Sequence, residues 1–146
     1  MTTLMVRVLI LSAAVIFSPA FAEENTGVLT LDITGANPNK GQIIISVYDT
    51  EESFLKAALR TVTLPVDDKG GAEFKIADLA FATYSVSAIY DEDSNNELNT
   101  NFIGIPKELI GFSNNARGRF GPPSYQETSF PFDQAKTVPI ALSKIK

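Results

Sequence analysis

The sequence predicts an all-β protein, an antiparallel β-sandwich of about seven strands with one short helix and a long structured loop before the last strand. Three observations carry this expectation. Apolar residues recur with period two from 27 to 88, the signature of strands with one buried face. Clusters of Gly, Pro, Asn and Asp interrupt that run at short intervals, as turns between strands require. The strand-helix-strand rhythm that builds parallel sheets is missing.

The first strand is read at 29–34, where Leu29, Leu31 and Ile33 alternate with Thr30, Asp32 and Thr34. Ala36-Asn37-Pro38-Asn39-Lys40-Gly41 supplies turn geometry, so 42–48 is expected to fold back as a hairpin partner. Ile43, Ile44 and Ile45 are consecutive there, which suggests a central strand whose second face is covered by the next element. That element reads as the short helix, at 51–59: Asp49 and Glu52 make a capping box, and Phe54, Leu55, Ala58 and Leu59 fall near helical spacing. Alternation resumes at 60–66, and Asp67-Asp68-Lys69-Gly70-Gly71 turns the chain into 72–76 as a second hairpin. The strand from Tyr84 admits two readings, a corner tyrosine bonded back to nearby backbone or a plain inward aromatic. In the last strand, 137–143, Val138, Ile140 and Leu142 face inward and Pro139 implies a sheet edge.

Between Asp91 and Lys136 the alternation stops. Unstructured loops longer than about 15 residues are uncommon in compact domains and are usually functional or disordered. Phe102, Ile103, Ile105, Leu109, Ile110, Phe112, Phe120, Tyr125, Phe130 and Phe132 make this stretch too apolar for a solvated linker. It is expected to pack as a structured excursion, with a small strand near 129–132.

The N-terminus reads as a secretory signal peptide, 1–22. Arg7 precedes an apolar stretch from Val8 to Phe17 that is too short to span a bilayer, and Ala20 and Ala22 present a cleavage site after Ala22. The remaining 23–146 is expected to be a single domain, periplasmic or secreted, with no stable membrane insertion once the leader is removed. The chain has no Cys, and a cysteine-free exported domain points to a bacterial envelope. It also has no His, so Ser-His-Asp and Cys-His catalysis and thiolate or imidazole metal sites are excluded. Twelve basic against 17 acidic residues argue against nucleic acid as a partner, because no basic surface can be assembled from them.

Two groups of residues in the excursion carry candidate chemistry. Asp91, Asp93 and Asn95 stand at positions 1, 3 and 5 of a calcium-loop pattern, with Leu98 at position 8 and Asn99 at position 9. Asn96 replaces the usual Gly at position 6, and Phe102 replaces the bidentate Glu at position 12, so Glu97, Glu108 or water must close the shell of a Ca2+ cofactor. An Asx-rich turn leaving a strand explains the same residues without a metal. Lys107, Arg117 and Arg119 lie near Phe112, Phe120 and Tyr125 in sequence and could clamp or stack a ligand, or pair with surface carboxylates. Gly111-Phe112-Ser113-Asn114-Asn115 misses the nucleophile elbow by its second Gly and has no His to serve it, and no catalytic residue is expected.

The strings Asp91-Glu92-Asp93-Ser94-Asn95-Asn96-Glu97-Leu98-Asn99, Gly104-Ile105-Pro106-Lys107-Glu108, Gly111-Phe112-Ser113-Asn114-Asn115-Ala116 and Phe120-Gly121-Pro122-Pro123 resemble the signature of a bacterial family of exported proteins, the domain of unknown function 2141. With the corner at Tyr84, the resemblance implies a prealbumin (transthyretin-like) or immunoglobulin-like sandwich, related to carboxypeptidase-regulatory-like domains, and implies no activity. The function expected is therefore a non-catalytic binding or accessory protein of the envelope, using the excursion toward a small ligand, glycan or envelope protein. The alternative is a calcium-stabilised structural module with no other ligand.

Overall fold

The computed structural model describes residues 25–145, so the expected leader at 1–22 lies outside the described residues. The strands are β1 (Thr26–Thr34), β2 (Gln42–Tyr48), β3 (Arg60–Pro65), β4 (Gly71–Ala80), β5 (Ala82–Asp91), β6 (Leu109–Phe112), β7 (Phe130–Phe132) and β8 (Lys136–Ala141), with one short helix, α1 (Tyr125–Thr128). They form two sheets. One has the order β4-β1-β8; the other runs β3-β2-β5-β6, with β7 also paired to β5. Eight strands thus stand among the described residues, against about seven expected. The pairing is antiparallel except between β1 and β8, which run parallel at the edge where Pro139 was expected.

The apolar alternation does what the sequence requires. Leu29, Leu31 and Ile33 of β1 meet Ile43, Ile45 and Val47 of β2 across the sandwich, and all six are essentially without accessible surface. Val86, Ala88 and Tyr90 of β5, Ile76 of β4, and Val138 and Ile140 of β8 complete the same core. Each fully buried aliphatic side chain contributes about 1.5–3 kcal/mol.

Neither expected hairpin forms. β1 pairs with β4 and β8, whereas β2 pairs with β3 and β5, so 35–41 and 66–70 both carry the chain from one sheet to the other. Period two identifies the buried face of a strand but not its neighbour, and facing strands bury the same pattern as paired ones. The two crossings brace each other: the Ala36 N–H donates to the Gly70 carbonyl (2.9 Å), and the Asn39 N–H donates to the Asp67 carbonyl (2.9 Å). Asp67 Oδ1 accepts from the N–H groups of Lys69 (2.9 Å) and Gly71 (2.8 Å). Those bonds, the one from Gly71 foremost, hold its carboxyl below the ordinary range.

The segment 51–59 is a run of turns, not the expected helix. Leu55 adopts φ 56°, which a right-handed helix cannot accommodate, and the Ser53 hydroxyl donates to the Thr50 carbonyl (3.0 Å) in competition with helical bonding. The helix forms instead at α1, where Ser124 and Glu127 make a reciprocal capping box. The turns still cover the outer face of β2 as expected. Phe54 packs edge-on against Tyr48 (ring centroids 5.3 Å apart) and Tyr125 (5.8 Å). Tyr84 satisfies both of its readings, since it is buried in the core and its hydroxyl donates to the Ala80 carbonyl (2.9 Å).

The excursion adds two strands. The small strand expected near 129–132 is β7, while β6 was hidden because its Leu-Ile-Gly-Phe run is too short to show a period. β7 pairs with Ala82 to Tyr84 and β6 with Ser87 to Tyr90, leaving a gap in between on β5. Ser113 fills it. Its Oγ accepts the Val86 N–H (2.9 Å) and donates to the Thr128 carbonyl (2.5 Å). No helix among the described residues is long and apolar enough to cross a membrane.

Candidate functional site

β5 alternates Val86, Ala88 and Tyr90 toward the core with Ser85, Ser87, Ile89 and Asp91 on the outer face of the five-stranded sheet. At its end the loop from Glu92 folds back over Asp91. Asp91 Oδ1 accepts the Asn95 N–H (3.1 Å); Oδ2 accepts the Asn96 N–H (2.8 Å) and the Gln42 side-chain amide (2.7 Å). Burial pushes this carboxyl up, but the three donors, joined by the neighbouring Asp93, outweigh it and hold it below the ordinary aspartate range. Asp91 has no accessible surface, yet a thin loop rather than depth shields it. The fold-back needs left-handed backbone at Ser94 (φ 56°) and Asn96 (φ 63°), so Asn96 supplies the conformation for which a calcium loop uses Gly.

Two further carboxylates converge on Asp91. Asp93 accepts from the side-chain amides of Asn95 (3.2 Å) and Asn99 (3.4 Å). Glu108, buried just before β6, accepts the Asn99 N–H (3.1 Å) and its side-chain amide (3.1 Å). One oxygen from each of Asp91, Asp93 and Glu108 lies within 4.8 Å of the others. Two oxygens bound to one calcium at 2.3–2.6 Å stand at most about 5 Å apart, so the set fits that ion. Asn95 and Asn99 complete the loop, but their oxygens are engaged: Asn95 Oδ1 accepts the Glu97 N–H (2.7 Å), and Asn99 Oδ1 accepts from the Asn95 amide (3.2 Å). Glu97 is exposed and enters this network through its backbone N–H. Of the three closures considered from the sequence, Glu108 is the residue that the fold brings to the cluster.

Beyond Asn99 the chain makes a small paired lobe. Thr100 bridges Pro106, the Lys107 N–H donates to the Asn99 carbonyl (2.8 Å), and Asn101 Oδ1 accepts the N–H groups of Ile103 (3.0 Å) and Ile105 (2.9 Å). The base of the lobe is the carboxylate cluster and its tip carries Phe102 and Ile103. Phe102 is 98% exposed, Ile103 64%, and across from them Phe120 is 105% exposed.

Between this lobe, the 119–122 segment and the outer face of the sheet lies an open cleft of about 680 Å³. Ser46, Ser87, Ile89 and Phe112 belong to its sheet side; Leu98, Ile103, Ile105 and Phe120 belong to the excursion. Its polar floor groups have internal partners: Ser87 Oγ lies 3.4 Å from the Tyr48 hydroxyl, and Ser46 Oγ lies 3.1 Å from Thr61 Oγ1. A second hollow, of about 850 Å³, lies on the other side of the cluster and includes Lys40, Glu92, Lys107, Glu108 and Tyr90. The Tyr90 hydroxyl is the one buried side-chain polar atom without a partner among the described residues.

The basic and aromatic residues singled out from the sequence divide among these places. Arg119, Phe112 and Phe120 line the cleft. Lys107 lines the second hollow, and Arg117 borders a separate small depression of about 170 Å³. Tyr125 packs on Phe54 outside the cleft, with its hydroxyl pushed up by burial and then by Asp49, Glu51 and Glu52. Apart from Phe112, the Gly111-to-Asn115 string is structural. A Cβ on Gly111 would stand 2.7 Å from Ile140 Cγ2, Ser113 is fully buried, and Asn114 and Asn115 take left-handed backbone at φ 60° and 48°. Their side chains bond the Ser129 carbonyl (2.8 Å) and the Ala141 N–H (2.9 Å). Sequence reasoning missed Gln42 as a partner of Asp91 and Ile89 as cleft floor. Ile89 had a signal, because it is apolar on the strand face opposite Val86, Ala88 and Tyr90.

Residues 31–139 match a family described as an uncharacterized protein conserved in bacteria (DUF2141). No curated protein and no solved structure matches the chain.

Proposed function

The chain belongs to this uncharacterised bacterial family, and from that premise we propose that it is an exported, non-catalytic binding or accessory protein of the cell envelope, with its ligand site built by the 91–136 excursion. The observation that carries the reading is the apolar cleft of about 680 Å³ between the outer sheet face and that excursion. Small-molecule sites are typically concave, largely apolar and about 300–1,000 Å³ in volume. Exposed Ile103 and Phe120 in its lining, with exposed Phe102 next to Ile103 in the chain, support it, because apolar side chains left in solvent mark interaction surfaces. The signal-peptide pattern at 1–22 supports export, and the absence of His and Cys from the sequence supports binding over catalysis.

Nile red, a neutral apolar dye, tests the cleft. Saturable one-site fluorescence enhancement is expected with the wild type and its loss with Leu98→Asp plus Ile103→Asp, both at exposed positions. Absence of saturable binding by the folded wild type refutes the reading, and turnover on an ester and glycoside panel refutes the non-catalytic part.

The convergence of Asp91, Asp93 and Glu108 favours a second reading, a calcium ion at the base of the lobe. Three carboxylates supply half or fewer of the six to eight oxygens calcium takes, with water and backbone left to supply the rest, so affinity belongs near the 10⁻⁴–10⁻³ M range of extracellular modules. At ten times Kd such an ion adds about 1.4 kcal/mol to the native state. A melt in about 10 mM calcium against chelator should therefore shift the midpoint by about 6 °C. No shift removes the ion from the account and leaves the cleft untouched.

A further inference from the structure

Arg119 is the one charged side chain in the lining of the cleft among the described residues, and it forms no ion pair there. We propose that the cleft takes a free single-chain anionic amphiphile, its hydrocarbon chain laid along Ile89, Leu98, Ile103 and Phe112 and its carboxylate head on the Arg119 guanidinium. This rests on the binding reading of the same cleft and names the class of ligand. The floor explains the chain. Ser46 and Ser87 are paired with Thr61 and Tyr48, so the sheet offers a ligand van der Waals contact but few free hydrogen-bond groups. A ligand polar along its length would lose water there without replacement, whereas methylenes lose nothing.

The rim explains the head. The chain carries a net charge of −5 and repels anions in general, so an anionic group is retained only where a local cation meets it. A guanidinium matches a carboxylate with two parallel hydrogen bonds, and it gains most where neighbouring apolar groups exclude water. Phe120 and Pro122 stand beside it in the lining, exposed until a ligand covers them. A single cation in the lining of an apolar cleft calls for a ligand with one anionic group on an apolar chain.

Isothermal titration calorimetry with dodecanoate below its micelle concentration, in calcium-free buffer, tests this beside decanoate, dodecanol and dodecyltrimethylammonium. Dodecanoate should bind roughly fifteenfold more tightly than decanoate, since it has two more methylenes and each one buried is worth about fourfold. Arg119→Gln should weaken dodecanoate about tenfold and leave dodecanol unchanged. Dodecanol or the ammonium binding as well as dodecanoate, with Arg119→Gln silent, overturns the anionic head while the Nile red result still stands. Failure of all four amphiphiles together with Nile red sinks the cleft itself. Co-sedimentation with phosphatidylglycerol vesicles without any dodecanoate heat would replace the free amphiphile with a membrane surface and so refute the proposal.

Discussion

Replacing Asp91 by Asn keeps the shape of the side chain and removes its charge and one acceptor oxygen. In the native protein three donors converge on this carboxylate: the N–H groups of Asn95 and Asn96 and the Gln42 amide. An Asn oxygen can take the place of Oδ2 and keep two of them, but its NH2 then confronts the Asn95 N–H, which is left with only its longer bond to Asp93 Oδ1 (3.3 Å). Losing one hydrogen bond to a charged group costs about 1.5–3 kcal/mol, and the two retained bonds weaken because the acceptor is now neutral. Relief from burying a charge offsets part of this. The offset is incomplete, because in the wild type the donors together with the neighbouring Asp93 outweigh burial and hold the carboxyl below its ordinary range. A net loss of about 2 kcal/mol follows. For about 120 folded residues the unfolding entropy is about 0.25 kcal/mol per degree, so the midpoint should fall by about 8 °C. Circular dichroism melts in chelator, where no cation can contribute, measure it. A midpoint within about 2 °C of wild type, or a rise, would show that burial dominates at Asp91 and that the fold-back loop is held by something else.

Ser113→Ala removes the acceptor for the Val86 N–H and orphans a buried donor, so it should cost about 2 kcal/mol, read as a lower urea midpoint with unchanged slope. Tyr84→Phe deletes only the bond to the Ala80 carbonyl and should lower the thermal midpoint by about 4 °C. Acid should destabilise the protein through Asp91 and Asp67, whose folded pKa values lie below their unfolded ones: their contribution is complete above about pH 4–5 and is lost as pH falls through the folded values. A melt series from pH 7 to pH 2 should therefore be flatter in Asp91→Asn than in wild type over the acid limb, and parallel curves would contradict the assignment.

The buried faces of β1 and β8 were legible because alternation reports burial directly, and Leu29 and Ile140 lie where period two places them, whereas the consecutive Ile43, Ile44 and Ile45 of β2 marked a strand covered on both sides without saying which face is the core. Their neighbours were not legible. Thr34 to Gln42 reads as a hairpin turn, and only the long-range bonds of Ala36 to Gly70 and Asn39 to Asp67 reveal a crossing between sheets. The helix at 51–59 failed for a local reason, since propensity and spacing do not forbid one left-handed residue and Leu55 is enough to break it. At the site, Asp91, Asp93, Asn95 and Asn99 were visible through their spacing in one loop. Glu108 could be named only as one of several closures, because its approach depends on the pairing of Thr100 with Pro106 that returns the chain to Asn99.

The excursion is therefore not a loop appended to a finished sandwich. β5 depends on it for its second set of pairings, with β7 at one end, β6 at the other and the Ser113 hydroxyl between them. The residues that complete the sheet, Gly111 to Asn115 and Thr128 to Phe132, are buried or bonded to backbone, whereas Leu98, Phe102, Ile103 and Phe120 are exposed. Exposed aromatic and aliphatic side chains add little to the stability of the fold, because they remain in water. Substitutions should accordingly separate into two classes within one segment: those in the first group lower stability, and those in the second leave the melt unchanged while altering what the cleft binds, with Phe112, buried and also in the cleft lining, expected to do both. A chain under selection for folding alone has no reason to keep large apolar groups in the second set, and that asymmetry within 91–136 is the strongest physical reason to look for a ligand there.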